Sequence, residues 1–432
     1  MHLPRSLLFW AVLLGHLTND VFMSMGPVML AFVGTHFLGA NAAAIGLAIS
    51  LRELIGAVAQ PFFGALTDRT GGRLLAALGV AWTALSMSAA LVAALSANGA
   101  LTLLFYCSAA LGSAAFHPVG ALYAAAAQQS RAARNSSLFF LFGQIGLGTG
   151  PAVAGILLAA LTLTAEGRVR LQPAIADNLL ALMALSLAAL PAVALMASRI
   201  PSRRAVSAQR HMQEAASKPR SPLTAAMFGV FFLFLAVLFL RSLSHIGVVN
   251  FVPILFERRG WSVDQYGFVT SLYWIASAFS GVLLGALADR YDRRRMIALS
   301  LWLGAPLLFF MPTAEGAAAP LLALAAGAAL GAGFPLTVVM AQSLLPNAKG
   351  FAAGLSLGLI FGAGAIGNAL IGVLADGIEN SAFSGIGIQA TFQVVAFAAL
   401  LAGVLALFLP NRLSGRTAPS AQAAQPAAQA AD

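Results

Sequence analysis

The long apolar segments of this 432-residue chain are interrupted by polar side chains, and their types and spacing would allow proton transfer or ligand binding. Asp20 lies four residues after His16 in the first such segment, with Asn19 beside it, and His245 lies four residues after Arg241 in the seventh. Residues four apart share one face of a helix. An imidazole beside a carboxylate can carry protons near neutral pH, and a guanidinium can hold a carboxylate or a phosphate. These segments therefore predict a site for protons and for a polar or anionic small molecule.

Three further polar residues lie inside apolar segments: Arg52 and Glu53 in the second, and His117 in the fourth. A charged residue at the centre of a membrane helix costs about 2.5–3.5 kcal/mol, so such side chains should face a water-filled cavity or one another. Adjacent helix positions point about 100° apart. One member of the Arg52–Glu53 pair is therefore predicted to face the cavity, with Arg52 favoured, while the other anchors it.

A purely structural role is the alternative interpretation of these residues. An Asp20–Arg241 ion pair, or an Asp20–His16 hydrogen bond, would tie helices together without binding a ligand. His117 directly precedes Pro118, and it would then only satisfy a backbone carbonyl that the proline leaves without a donor.

The composition indicates that a membrane surrounds these residues. The chain is 60% hydrophobic and only 9% charged, whereas soluble proteins carry roughly 25% charged residues. A spanning helix needs about 20 mostly apolar residues, and twelve segments qualify: 7–33, 42–66, 74–96, 100–127, 135–162, 177–199, 224–256, 265–288, 296–312, 319–344, 350–375 and 388–409. The predicted fold class is an all-α integral membrane protein with twelve transmembrane helices.

Basic residues indicate which side of the membrane the termini occupy. The N-terminus, the gaps after even-numbered segments and the C-terminal tail are rich in arginine, whereas the other gaps contain only Arg168, Arg170, Arg258 and Arg259. Positive residues stay on the cytoplasmic side, so both termini are predicted inside, in a plasma (inner) membrane. The net charge of +10 reflects this clustering between segments, which argues against nucleic-acid binding.

The longest polar connector divides the chain into two pseudo-symmetric halves. The predicted organisation is an N-terminal six-helix bundle at 1–199, a cytoplasmic linker at 200–223, a C-terminal six-helix bundle at 224–409 and a disordered cytoplasmic tail at 410–432. GALTDRTGGR at 64–73 follows the second segment, and the related GALADRYDRRR at 285–295 follows the eighth. Two related halves are typical of transporters whose site lies at the repeat interface near the membrane midplane.

The repeated turn and the six-plus-six layout resemble the major facilitator superfamily across residues 7–409. In that family the turn is a cytoplasmic gate that holds the outward-facing state, and the resemblance implies this role for Asp68, Arg69, Arg73, Asp289 and Arg290. The stretch GLGTGPAVAG resembles an element typical of the family's antiporters, which singles out Gly146, Gly150, Pro151 and Gly155. A generic packing face is the alternative, because small residues let membrane helices approach closely and proline bends them.

A third set of stretches resembles the fosmidomycin resistance branch of this superfamily: AAFHPVGALYAAAA at 114–127, RSLSHIGVVNFVPIL at 241–255 and PLTVVMAQSLLPNAKGFAAGLSLGL at 335–359. The resemblance implies efflux of a drug or metabolite in exchange for protons. The family often has a proton-coupling arginine in the fourth helix shortly before the glycine equivalent to Gly112. Here that stretch reads LLFYCSAALG, without a basic residue.

The sequence therefore favours a secondary active transporter that moves a small organic compound by alternating access, with proton-coupled efflux as the leading mode. A metabolite uniporter or symporter is the alternative, followed by a non-transporting membrane sensor on the same scaffold. The chain has no GxSxG, HExxH or Walker-type loop and no cluster with metal-ligand spacing, so no enzymatic activity, cofactor or metal is predicted. The expected partners are a polar or anionic small molecule, protons and the lipid bilayer, and a monomer is expected.

Overall fold

The architecture comes from a computed structural model that describes residues 6–127, 132–165, 168–200, 225–287, 290–333, 336–337, 340 and 349–410. Within these ranges the side chains of 68–70, 132–134, 225–228, 286 and 349–357 lie outside the description. The first half contains helices α1 Leu7–Leu38, α2 Ala42–Thr70, α3 Arg73–Leu95, α4 Gly99–Ala126, α5 Ala132–Leu161 and α6 Leu179–Arg199.

A short antiparallel hairpin, β1 Thr162–Ala165 and β2 Arg168–Leu171, connects α5 to α6. The second half begins with α7, which consists of Ala225–Ser242, Leu243–Gly247 and Val248–Glu257. The remaining helices are α8 Val263–Leu287, α9 Arg293–Phe310, α10 Ala318–Gly331, α11 Lys349–Asp376 and α12 Ile388–Leu407.

Side-chain caps and glycines set the helix ends. Asn41 accepts a hydrogen bond from the Ala44 N–H at 2.8 Å where α2 begins, which satisfies one of the free amides of the first turn. After α2, Gly71 and Gly72 adopt φ angles of 82° and 76°. Glycine reaches this left-handed region without a steric penalty, so the chain reverses within two residues and α3 starts at Arg73.

The first helix of each half contains a π-helical turn, at Leu30–Gly34 in α1 and at Leu243–Gly247 in α7. A π turn holds one residue more than an α-helical turn would, and such turns are frequent at functional sites. His245 lies inside the turn of α7.

The most extensive contacts between the halves lie between α2 and α11 and between α5 and α8. A methyl group at Gly46 of α2 would fall 2.7 Å from the Asn368 carbonyl oxygen of α11, and one at Gly267 of α8 would fall 2.6 Å from the Pro151 carbonyl oxygen of α5. Small residues thus allow backbone contact between the halves, as is usual between helices in membranes.

The structure confirms the predicted fold class of a helical membrane protein with two six-helix halves. Eleven of its helices are long and apolar enough to cross a membrane, whereas the described part of α10 is shorter. The hairpin at residues 162–171 departs from the all-α prediction, since its alternating TLTA and RVRL segments pair as strands. The linker at 200–223 and the tail beyond residue 410 lie outside the described residues, apart from Ile200 at the end of α6.

Candidate functional site

Three titratable side chains from α1 and α4 meet near the middle of the first half. Asp20 Oδ2 lies 3.3 Å from His16 Nε2, and Asp20 Oδ1 lies 3.7 Å from His117 Nε2. The side chains of Asp20 and His117 keep 9% and 12% of their exposed area, whereas His16 is more deeply buried. The pair predicted on α1 therefore forms, and α4 supplies its third member. We call His16, Asp20 and His117 the carboxylate–imidazole triad.

The second nitrogen of each imidazole faces a backbone carbonyl. His16 Nδ1 lies 2.7 Å from the Phe139 oxygen, and His117 Nδ1 lies 2.8 Å from the Ser113 oxygen. A carbonyl only accepts, so both rings carry a hydrogen on Nδ1. In a neutral ring of this tautomer Nε2 is an acceptor, and both Nε2 atoms face a carboxylate that also accepts. A shared proton or a bound cation between these acceptors would stabilise the triad.

Asn19, next to Asp20 on α1, holds the carboxylate and is itself held by α3 and α4. Asn19 Nδ2 donates to Asp20 Oδ1 at 2.9 Å and to Ser113 Oγ at 3.0 Å, and Thr83 Oγ1 of α3 donates to Asn19 Oδ1 at 3.1 Å. Asn19, expected from the sequence to bind a proton or substrate, thus positions Asp20. Ser113 and Thr83 were not predicted, because isolated hydroxyl residues are common in membrane helices.

Glycines of α5 bring that helix against the triad. A methyl group at Gly146 would fall 2.5 Å from the Leu17 carbonyl oxygen, and one at Gly150 would overlap Ser24. Further along α5, a methyl group at Gly155 would fall 2.7 Å from the Val263 carbonyl oxygen of α8. The glycines of the motif at 146–155 therefore pack one helix against α1 and against the opposite half.

Proline completes this contact between the halves. Gly267 of α8 packs closely against the Pro151 carbonyl oxygen. The next residue, Ala152, donates its backbone N–H to Ser271 Oγ of α8 at 2.9 Å. Prolines bend membrane helices and free backbone groups that neighbouring side chains then satisfy.

Glu53 of α2 reaches across to the second half. Its Oε1 accepts from Asn250 Nδ2 of α7 at 3.1 Å, and its Oε2 accepts from Asn368 Nδ2 of α11 at 3.0 Å. Asn250 also donates to Asn368 Oδ1 at 3.2 Å. We call Glu53, Asn250 and Asn368 the inter-half triad. The two asparagines are residues that the sequence analysis missed, although Asn250 lies in the stretch NFVPIL that pointed to the repeat.

Arg52 turns back into its own half. Its Nη1 donates to the Met23 carbonyl oxygen at 2.8 Å, and its guanidinium lies 4.7 Å from the centre of the Tyr106 ring. The Arg52 Nη2 atom stays 3.9 Å from Glu53 Oε1. Arg52 therefore contacts its own half, whereas Glu53 contacts the other half.

Arg241 and His245 are buried among helices of the second half. Arg241 Nη2 lies 3.5 Å from the Leu330 carbonyl oxygen of α10. His245 Nδ1 lies 3.1 Å from the Tyr273 hydroxyl, and its Nε2 lies 3.3 Å from Ser277 Oγ, both of α8. Among the described contacts no ion pair joins Asp20 to Arg241. Each predicted i,i+4 pair therefore interacts chiefly inside its own half.

Ionic contacts close the end of the bundle that carries the hairpin. Arg258 donates from Nη1 and Nη2 to the two carboxylate oxygens of Asp376 at 2.6 and 2.5 Å, and the Ala42 N–H of α2 donates to the same carboxylate at 2.5 Å. His36 Nε2 of α1 lies 3.5 Å from Glu257 Oε1 of α7. We call these contacts the rim. The hydrogen bonds to Asp376 raise the pKa of Arg258 above its ordinary value.

The predicted gate lies at the opposite end of the bundle. Arg73 Nε donates to the Ala197 carbonyl oxygen at 2.6 Å, and Tyr123 donates to the Gly71 carbonyl oxygen at 2.8 Å. Arg290 is exposed on the turn after α8. The side chains of Asp68 and Arg69, and all of Asp289, lie outside the described residues.

The second copy of the gate motif holds a local ion pair. Arg294 donates to Asp292 from Nε at 3.0 Å and from Nη2 at 2.6 Å, and Asp292 caps α9 by accepting from the Arg294 N–H at 2.9 Å. The side-chain hydrogen bond from Arg294 lowers the pKa of Asp292 below its ordinary value. The sequence analysis had selected Asp289 and Arg290 instead of this pair.

The family model described as the Major Facilitator Superfamily matches residues 8–261 and 234–431 of this chain. The Fosmidomycin resistance protein of Escherichia coli strain K12 is 26% identical over 409 residues, covering 93% of this chain and 92% of that protein. The uncharacterized MFS-type transporter YfnC of Bacillus subtilis strain 168 is 29% identical over 400 residues, covering 92% of this chain and 91% of that protein.

Solved structures show the same architecture. A crystal structure of the D-xylose-proton symporter has a TM-score of 0.68 and 18% identity, covering 96% of this chain and all of that chain. A partially occluded, inward-open conformation of the xylose transporter XylE from E. coli has a TM-score of 0.65 and 15% identity, covering 94% of this chain and 100% of that chain. At this level of identity the likeness concerns the fold alone.

Proposed function

This chain belongs to the major facilitator superfamily, and from that premise we propose that it exports a small polar or anionic organic compound in exchange for protons. The observation that carries the proposal is the carboxylate–imidazole triad. A proton or a cation between its three facing acceptors would stabilise their arrangement. Coupling to a proton gradient requires a group inside the membrane protein that takes up and releases a proton.

The proposed proton site keeps Asp20 and His16, which the sequence predicted, and adds His117. Asp20 has no ion pair with Arg241 among the described contacts, so the proposal assigns the proton and the substrate anion to different groups. Asp20 takes the proton in the first half and Arg241 attracts the anionic group of the substrate in the second half. The two events are coupled through the inter-half triad and the rim, because rocking of the halves must break or form those contacts.

The name of one relative supplies the first compound to test. The Escherichia coli relative is called the Fosmidomycin resistance protein, and efflux of a toxic compound is one way in which a transporter confers resistance. We therefore propose fosmidomycin first, followed by small organic acids.

The orientation and domain division belong to the same proposal. The basic residues place both termini in the cytoplasm of an inner membrane, with the rim facing outward. The boundary between the two transporting halves lies at 200–223.

The proposed orientation can be tested by labelling. A cysteine introduced at the exposed position Glu379, in a Cys107→Ser background, should react with a membrane-impermeant thiol reagent in intact cells. Labelling only after the cells are broken would reverse the orientation.

Transport in proteoliposomes tests the function. The purified protein is reconstituted with a pH-sensitive dye inside, a pH gradient is imposed, and candidate compounds are added one at a time. Substrate-dependent proton movement is expected in the wild type and should be lost in Asp20→Asn, because the amide cannot exchange a proton. Asp177→Asn is the matched control, since Asp177 is an exposed loop carboxylate.

Two outcomes would change the proposal. Normal proton exchange in Asp20→Asn would remove the coupling role from the triad. Labelled substrate that equilibrates without any proton movement would identify a uniporter. Both variants are first compared with the wild type by size-exclusion chromatography, so that loss of folding is not mistaken for loss of coupling.

A further inference from the structure

We propose that the carboxylate–imidazole triad also binds one divalent transition-metal ion of the zinc class, in the place that protons otherwise occupy. Sequence spacing predicted no metal-ligating cluster, because only two of the three ligands share a helix. The structure brings His117 of α4 to the His16–Asp20 pair of α1, so that one ligand atom from each residue lies within 4.8 Å of the others. The triad is thus a two-histidine, one-carboxylate donor set.

The distances suit a single ion with little movement. Two ligands placed tetrahedrally at about 2.1 Å from a zinc ion are about 3.4 Å apart. The His16 Nε2–Asp20 Oδ2 and His117 Nε2–Asp20 Oδ1 separations are 3.3 and 3.7 Å. The two imidazoles approach different oxygens of the carboxylate, so a small rotation of that group brings one or both oxygens to the ion.

The groups around the triad orient its ligand atoms as the hydrogen-bond partners of metal ligands do in known metal sites. Metal-binding histidines usually donate their second ring N–H to a carbonyl or carboxylate, which fixes the tautomer and directs the other nitrogen to the metal. His16 and His117 both do so, to the Phe139 and Ser113 carbonyl oxygens. Asn19 in turn holds the carboxylate. These three contacts orient every ligand atom before any ion arrives.

Ligand chemistry selects the class of ion. Imidazole nitrogens favour Zn²⁺, Co²⁺, Ni²⁺ and Cu²⁺, whereas Mg²⁺ prefers an octahedron of oxygen atoms. Three protein ligands leave a fourth position for water or a substrate group, as in sites where the metal stays reactive. Asp20 and His117 retain some exposed area, which gives an ion a path to the site.

Protons and the metal compete, because an ion can bind only the deprotonated carboxylate and the neutral imidazoles. His16 from α1 and His117 from α4 are the titratable groups that contact Asp20 among the described residues. The contacts from α3 and α5 come from Thr83 through Asn19 and from the glycine face of α5. Affinity should therefore fall as the pH is lowered.

Isothermal titration calorimetry tests the inference with the full-length protein, purified in detergent through a tag without histidines. Zn²⁺ is expected to bind one ion per chain at pH 7.5, with weaker binding at pH 5.5, while Mg²⁺ gives no comparable signal. Removing an outer-shell partner costs roughly 10- to 100-fold in metal affinity, so His117→Gln, which removes a ligand, should lose at least as much. His36→Gln is the matched control, because His36 pairs with Glu257 at the rim and is not part of the triad.

The outcomes separate this inference from the transport proposal. Zn²⁺ that binds no better than Mg²⁺ to the wild type, or equally well to the wild type and His117→Gln, would overturn the metal site and leave proton coupling standing. If His117→Gln does not fold, Asp20→Asn provides the same comparison. Co²⁺ offers a second measurement on the wild type alone, since its visible d–d absorption should change on binding and revert when Zn²⁺ displaces it.

Discussion

Replacing Glu53 by glutamine should loosen the contact between the halves. Each carboxylate oxygen accepts one asparagine N–H from the second half, at 3.1 Å from Asn250 and 3.0 Å from Asn368. Glutamine keeps one carbonyl oxygen but presents an NH₂ group where the second oxygen stood. One of the two hydrogen bonds is therefore replaced by two donors that face each other.

The free energy of the lost hydrogen bond can be converted into a change in the populations of the closed and open states. A hydrogen bond to a charged group contributes about 1.5–3 kcal/mol. If the rim-closed state loses that amount and the open state does not, the equilibrium between them shifts by roughly 10- to 150-fold towards opening. Arg52 moderates the effect little, because its guanidinium is already held by the Met23 carbonyl oxygen and lies 3.9 Å from Glu53.

Distances between spin labels across the rim measure this shift. One label is placed at Ala97 in the α3–α4 loop and one at Glu379 in the α11–α12 loop, both exposed, in a Cys107→Ser background. Double electron–electron resonance should show a larger population of the longer distance in Glu53→Gln. Glu315→Gln is the control, because it removes the same charge from an exposed loop.

An unchanged distance distribution in Glu53→Gln would refute the argument that the inter-half triad holds the rim closed. The same change in Glu315→Gln would show that net charge, and not the hydrogen bonds of Glu53, controls opening. Either result would leave the proton site on α1 and α4 untouched, since Glu53 belongs to a separate set of contacts.

Two further predictions concern packing and a helix cap. Gly150→Ala should lower thermal stability in detergent by about 1–3 kcal/mol, the usual cost of overpacking, because the new methyl group overlaps Ser24. Gly56→Ala, whose methyl group would have an ordinary 3.7 Å contact, should not; equal losses would contradict the packing argument. Asp292→Ala should cost about 1 kcal/mol at pH 7 as a lost helix cap. Arg294 lowers the pKa of Asp292, so the ionic part of this contribution is complete above the ordinary value of about 3.9 and is lost as the pH falls through the lower folded-state pKa. The difference between the melting temperatures of the wild type and Asp292→Ala should therefore narrow below pH 4, and a difference that is constant with pH would exclude the ionic contribution.

The membrane segments could be predicted from the sequence because hydrocarbon imposes a simple rule of length and polarity. The same rule exposed His16, Asp20 and Arg241 as exceptions that need partners. The partners themselves could not be assigned, since contacts between helices depend on rotation and depth. His117 was found as a polar residue, but its approach to Asp20 follows from the packing of α1 against α4.

The directions of Arg52 and Glu53 could not be assigned for the same reason. A 100° separation shows that the two side chains diverge, but not which one faces the other half. The asparagines that receive Glu53 gave little signal, because a single amide in an apolar segment is compatible with many environments. The hairpin was missed since only two short strands of four residues form it.

The π turns at Leu30–Gly34 and Leu243–Gly247 have a consequence for how one helix can serve two neighbours. An inserted residue offsets everything beyond it by about 100° relative to a continuous α-helix. In α7 the segment before the turn carries Arg241 towards α10, while the segment after it carries Asn250 towards α2 and α11. The extra residue of the π turn thus lets one helix direct Arg241 into its own half and Asn250 towards the opposite half. Deleting Ile246 would rotate Val248–Glu257 by about 100° relative to the segment before the turn, and would carry Asn250 away from Glu53 although Arg241, His245 and Asn250 all remain in the chain.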